Sequence, residues 1–232
     1  MPTEADPETE ENKESKSMKK FVVLLLACAL LLGCSGCAWI GMGRDLTQEE
    51  KEAIEVGTIV DGIYENTTFA LGFAAPEGWK ISESSEIREM NGWSEDKDLK
   101  EQAIGSLGKP GYFYEMTAER DDSRASVNVC VENVSIMEQP DVTEDVYVAA
   151  AVLNAQEHFK EAGCKNVVIT KDIAPFAGGE HYFYHVSCKT NDGEDLYYKA
   201  MYMKEGIYAA VITATSVEED MTDEVLSMFY EA

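Results

Sequence analysis

Glu180, His181 and His185 are the first residues in this 232-residue chain to suggest chemistry. Two imidazoles four positions apart, beside a carboxylate, grip a metal when they share a helix face. The surrounding Tyr182-Phe183-Tyr184-His185-Val186 has strand composition instead. Four strand residues extend about 13 Å, too far for both rings to reach one ion, so ordinary strand histidines are expected. His158 lies in a helical pattern four residues after Asn154, and nothing beside it marks a ligand. Gly105-Ser106-Leu107-Gly108 is not the G-x-S-x-G elbow that exposes a nucleophile, and no phosphate-cradling glycine run occurs. Asn191-Asp192-Gly193-Glu194-Asp195 offers oxygens that suit calcium. It lacks the length and closing glutamate of an EF-hand loop and reads as a hairpin turn. Glu218-Glu219-Asp220 suits the positive end of a helix dipole. The expectation is therefore no catalytic residue, no metal ligand and no cofactor. Tyr182, Tyr184, Tyr197 and Tyr202 form the candidate interaction surface. With Met201 and Met203 they could line a recognition groove, or they could be sheet residues whose rings reach helices.

A second chemistry sits near the start of the chain. Lys19 and Lys20 precede thirteen uncharged, mostly apolar residues, and Leu31-Leu32-Gly33-Cys34 closes the run. As a helix, such a run rises about 20 Å, short of the roughly 30 Å hydrocarbon core, which suits a cleaved signal. Small Gly33 admits a peptidase, and the Cys34 thiol can accept a diacylglyceryl group. The pattern resembles the lipobox of bacterial lipoproteins, with Leu31 three positions before the cysteine. Cys28 has too short an apolar run behind it, and Cys37 lacks the upstream leucine. The rival is an uncleaved helix across the 23 uncharged residues between Lys20 and Arg44. Either reading places the rest of the chain on the extracytoplasmic side, because positive charges stay inside. Residues 1–17 are acidic and apolar-poor and precede a complete signal at Met18, as a mis-called start or a disordered cytoplasmic tail would.

The charge balance limits the partners. Acids outnumber bases 44 to 19, a net charge of −25, and cleavage before Cys34 leaves −23. Such a surface repels nucleic acid and anionic headgroups. After a tether over residues 34–57, roughly 175 residues remain, enough for one domain with a real core. Cys130, Cys164 and Cys188 fall in that domain. An odd number makes no disulfide framework; one bridge is open to them, and small buried thiols are the default.

Periodicity supplies the scaffold. Thr47 and Glu50 match a capping box. Strands are expected at 63–66, 69–74, 79–81, 112–119 and 125–136, with a turn at Pro76-Glu77-Gly78. Helices are expected from Ser84 or Ser85 to Met90 and over 98–107 within an irregular excursion, 91–110. Val127, Val129 and Val131 alternate with Asn128, Cys130 and Glu132. A long helix over 143–162 follows, capped by Thr143 and stopped at Gly163, with Val148, Val152, Ala155 and Phe159 as its apolar stripe. A meander of four strands (167–173, 180–190, 195–204, 207–215) turns at Asp192-Gly193 and Glu205-Gly206. A final helix is expected over 218–230. The last strand, Tyr208-Ala209-Ala210-Val211-Ile212, is apolar on both faces and needs cover on both. The fold class is α+β: an antiparallel sheet flanked by helices in three layers.

Tyr64-Glu65-Asn66, then Phe69 to Phe73, then Pro76-Glu77-Gly78-Trp79, resembles the opening of bacterial lipoproteins with a PsbP/Mog1-like domain. The order of later elements is similar over residues 57–232. The resemblance implies an α/β/α sandwich around an antiparallel sheet. It implies a non-catalytic role, since the family includes a photosystem assembly subunit and a nuclear GTPase-binding protein. The reading is thus a lipid-anchored extracytoplasmic domain without catalytic activity that binds a protein partner or assists assembly at the envelope. A small-ligand or cation-binding lipoprotein is the alternative, and a hydrolase with an unrecognised site is a third.

Overall fold

The computed structural model describes residues 46–108, 111–135 and 143–232. The signal segment and Cys28, Cys34 and Cys37 lie outside them. The described helices are α1 (Gln48–Ala53), α2 (Ser84–Asn91), α3 (Leu99–Gly108), α4 (Glu144–Glu161) and α5 (Thr222–Leu226). The first strands are β1 (Thr58–Val60), β2 (Ile63–Asn66), β3 (Leu71–Ala74), β4 (Trp79–Ile81), β5 (Tyr112–Arg120) and β6 (Ala125–Asn133). The rest are β7 (Lys165–Phe176), β8 (Gly179–Lys189), β9 (Asp195–Glu205), β10 (Tyr208–Val217) and β11 (Phe229–Glu231).

All pairings are antiparallel. The larger sheet has seven strands in the order β4-β5-β6-β10-β9-β8-β7, and the smaller has four in the order β1-β2-β3-β11. The α+β class holds, with two differences from expectation. First, Asp61 (φ 51°) and Gly62 (φ 77°) form a left-handed two-residue turn that adds β1 before β2. Second, the C-terminal helix stops at Leu226. Phe229 then pairs with Phe73 as β11 begins, its ring 4.9 Å from Phe73 and 5.5 Å from Phe176. Burying that ring between two others outweighs continuing the helix.

Each face of the large sheet has its own cover. Helix α4 lies across β7, β8 and β9, with Val148, Ala151, Ala155 and Phe159 buried and Val152 only half-buried. Phe159 meets Tyr198 edge-on at 5.5 Å. The opposite face carries Val127, Val129, Val131, Ala210 and Ile212 beneath the small sheet, α3 and α5. Central strand β10 is buried along its whole length, as its two-sided apolar sequence requires.

Residues 46–57, expected to be tether, are part of this core. The Thr47–Glu50 capping box forms as expected. Leu46 and Ile54 on either side of α1 are buried, and the Tyr208 hydroxyl donates to the Glu50 carbonyl at 2.8 Å. Apolar side chains flanking one helical turn have packed rather than remained in solvent.

One buried carboxylate joins the two sheets. Glu115 sits where the β5–β6 register shifts, and it points into the layer between them. It accepts from the Gly57 backbone N–H (2.5 Å), the Tyr64 hydroxyl (2.5 Å) and Asn66 Nδ2 (2.9 Å). Tyr64 and Asn66, two apart on β2, therefore reach the same group. Burial pushes the Glu115 carboxyl above the usual carboxylate range, against the lowering effect of these hydrogen bonds. Burial, reinforced by Glu115, likewise pushes the Tyr64 hydroxyl well above its ordinary value. Gly57 is required: a Cβ there would come 2.5 Å from the Tyr64 ring and 2.9 Å from the Glu115 carboxyl carbon.

Candidate binding groove

On β8 and β9, alternation sends even-numbered residues toward α4 and odd-numbered ones to the other face. That other face is incompletely covered beyond β10, because α5 has five residues and β11 three. A groove of about 510 Å³ remains between α5, β11 and the β7–β8 hairpin. Phe176, Met201, Leu226 and Phe229 give it an apolar floor, and Lys199 and Asp223 lie at its polar end.

Lys199 is unusual for an ammonium, with only 8% of its surface exposed. Its Nζ lies 2.5 Å from Asp223 Oδ1 and 4.3 Å from the Phe183 ring centroid. The ring face and the carboxylate share the charge between them. The Asp223 side chain, by contrast, is 88% exposed. Next to this pair, His185 Nε2 is 2.9 Å from Asp220 Oδ2, and its ring stacks on Tyr197 at 6.4 Å. Burial pushes the Asp220 carboxyl up, but bonds from the Thr222 hydroxyl and N–H, with His185 nearby, outweigh this and hold it below the ordinary aspartate range.

The histidines do not converge. His181 Nδ1 lies 3.0 Å from Glu144 Oε1 at the start of α4, and His158 is 3.7 Å from Glu161 one helical turn away. Among the described residues no cluster of three or more His, Cys, Asp or Glu could hold a metal. Among the described residues that line the groove there is no histidine. Ser106 is in α3, where its hydroxyl accepts from Trp93 Nε1 at 2.9 Å. Asn191–Asp195 closes the β8–β9 hairpin, with Gly193 at φ 87° and Lys189 paired to Asp195 at 2.7 Å.

The four candidate tyrosines do not form one surface. Tyr184 and Tyr202 are buried under α4. The Tyr184 ring stacks on Tyr198 at 5.6 Å, and Tyr202 meets Tyr147 at 5.1 Å. These two are core residues, not contact residues, because α4 covers the face they occupy. Tyr182 is half-buried at the rim of that face. Tyr197, also half-buried, is on the groove side. Sequence reasoning missed Lys199, Asp220 and Asp223. The available signal was one lysine inside the apolar strand from Leu196 to Met203, since a lone charge there must find a partner or a cavity.

No protein-family model matches the chain, and no curated protein does. Solved structures are similar to it. The solution structure of cyanobacterial PsbP (CyanoP) from Synechocystis sp. PCC 6803 aligns at TM-score 0.44 and 12% identity, over 77% of this chain and 98% of that one. LpqN of Mycobacterium tuberculosis, described as involved in cell envelope biogenesis, aligns at TM-score 0.35 and 11% identity, over 68% of this chain and 75% of that one. A crystal structure from Bacteroides thetaiotaomicron VPI-5482 aligns at 0.37 and 9%, over 74% and 48%. PsbP is thus among the solved structures this chain is similar to.

Proposed function

We propose that this chain is a non-catalytic binding module, anchored through lipid on Cys34 to the outer side of a membrane, that holds a segment of a partner protein in the groove. The observation that carries the reading is a buried ammonium beside an apolar floor, closed by a carboxylate that is itself almost fully exposed. Asp223 behaves as a replaceable plug. An acidic side chain of the partner can take its place on Lys199 while an adjacent apolar side chain covers Phe176 and Phe229. The anchor rests on the Lys19-to-Cys34 pattern. No described helix is long and apolar enough to cross a membrane.

A photo-crosslinking residue at Ala177, on the groove rim, tests the binding. It should give a discrete adduct in cells that weakens with Lys199→Met. The same residue at Leu153, exposed on the far side of α4, should give none. Equal adducts at both positions, or turnover of a cell-wall or ester substrate lost on one side-chain change, would refute the reading. Mass spectrometry of the membrane-extracted N-terminus tests the anchor separately, with diacylglyceryl-Cys34 expected. A groove of this volume also lies in the range of small-ligand sites. Thermal stabilisation by a small carboxylate or by a metal, with no crosslinked protein, would favour that second reading.

A further inference from the structure

Cys164, just before β7, and Cys188, near the end of β8, lie at the same open end of the β7–β8 hairpin. Cys164 directly precedes Lys165, and Lys165 is the register partner of Lys189, which follows Cys188. The regular ladder breaks between Lys165 and Val168, where Asn166 adopts φ 56° and bulges the strand. Both thiols belong to the core cluster under α4, and both are free. Gly163, at φ 85°, turns the chain off the end of α4 so that Cys164 points back into that cluster. Cys130 lies in the same cluster but on β6, beyond β9 and β10 from β8.

We propose that Cys164 and Cys188 are a disulfide site, closed by exchange with a small or protein disulfide. The Cys164 thiolate attacks one sulfur of the donor disulfide and releases the other as a thiolate, giving a mixed disulfide. The Cys188 thiolate then displaces the remaining donor thiolate from Cys164. Two protein thiols are oxidised, one donor disulfide is reduced to two thiols, and the two protons lost by Cys164 and Cys188 end on the two donor sulfurs. The neighbouring Cys188 side chain pulls the Cys164 thiol below the ordinary thiol range, and Cys164 pushes Cys188 up, which favours Cys164 as the attacking group. The link would tie the end of α4 to the end of β8. It would thereby fix the helix whose cover sends Tyr184 and Tyr202 into the core. The inference does not depend on the groove or on the anchor.

The full chain, purified reduced, is incubated with oxidised glutathione, quenched with iodoacetamide, digested and mapped by mass spectrometry. The expected result is one linked peptide pair joining Cys164 to Cys188, two hydrogens lighter than the reduced pair. Cys130 should be alkylated only after unfolding. The melting temperature should rise by about 5–10 °C and return to the reduced value with dithiothreitol. Cys188→Ala should abolish the rise and leave glutathione on Cys164, which keeps the result readable even if the variant is less stable. A glutathione adduct on wild-type Cys164 that never resolves would overturn the proposal. So would a link from either cysteine to Cys28, Cys34, Cys37 or Cys130, or an unchanged melting temperature in the linked protein.

Discussion

Replacing Tyr64 by Phe deletes one oxygen at the joint between the sheets. That hydroxyl donates to Glu115 at 2.5 Å, and both residues are buried, so water cannot readily substitute. A hydrogen bond to a charged group contributes about 1.5–3 kcal/mol, and one between neutral groups about 0.5–1.5 kcal/mol. The loss should therefore depend on the charge of Glu115. Burial raises the folded pKa of Glu115, and an unfolded glutamate titrates near about 4.3. For a group raised on folding, the stability it contributes is full below the unfolded value and declines as pH rises through the folded one. Removing Tyr64's bond, which lowers that pKa, extends the decline upward. Denaturant unfolding of wild type and Tyr64→Phe at pH 4 and pH 8 measures the difference and cancels the other carboxylates. Destabilisation should be about 1 kcal/mol at the lower pH and about 2–3 kcal/mol at the higher. A pH-independent difference, or one that shrinks as pH rises, would refute the buried-carboxylate account.

Three further outcomes follow from the same contacts. Phe159→Ala should cost about 3–5 kcal/mol by leaving a cavity against Tyr198, read as a lower denaturant midpoint with unchanged slope. Gly57→Ala should cost about 1–3 kcal/mol, because its methyl meets the Tyr64 ring and the Glu115 carboxyl, and it should lose most of that penalty in a Tyr64→Ala background. At the groove, Lys199→Met should leave stability within about 1 kcal/mol of wild type, whereas Asp223→Ala should lower it by about 1 kcal/mol, both measured by denaturant unfolding.

Local signals were the legible part of this fold. The Thr47–Glu50 box and the Gly163 stop each depend on residues within a few positions and formed where expected; α4 also starts directly after Thr143, although that side chain makes no capping hydrogen bond. The four-strand meander was readable because Asp192-Gly193 and Glu205-Gly206 set its turns. Asp61-Gly62 carried the same signal and marks β1, but the three residues before it make too short a run to stand out. The small sheet was harder. β11 exists because Phe229 reaches Phe73, more than 150 positions earlier, and no local pattern contains that contact. Tyr184 and Tyr202 fitted either a contact face or a sheet core whose rings reach a helix, because tyrosine suits both; the placement of α4 decided for the core. Lone charges in apolar strands were the readable clue to the interior. Glu115 within 112–119 and Lys199 within 195–204 both sit at structural junctions.

The two faces of the large sheet differ in what covers them, and this locates the binding reading. One long helix covers the tyrosine-rich face and buries Tyr184, Tyr198 and Tyr202 beneath it. The other face is covered by short pieces, and the groove lies where those pieces stop. Stability alone would favour an apolar side chain at position 199, because a buried ion pair seldom outperforms a well-packed hydrophobic one. Phe183 and Met201 flank the site and would accept a methionine. On the proposed reading, an ammonium there would make a difference mainly to what the groove selects. It disfavours a wholly apolar occupant, which would leave the charge buried without a carboxylate, and favours one that brings an acid. On the proposed binding reading, in a chain with a net charge of −25, a fixed cation inside an apolar groove would give an acidic segment one local attraction on an exterior that otherwise repels acidic surfaces. Thus Lys199→Met should barely change stability and should broaden the groove's preference toward apolar segments, an outcome that a purely structural lysine would not produce.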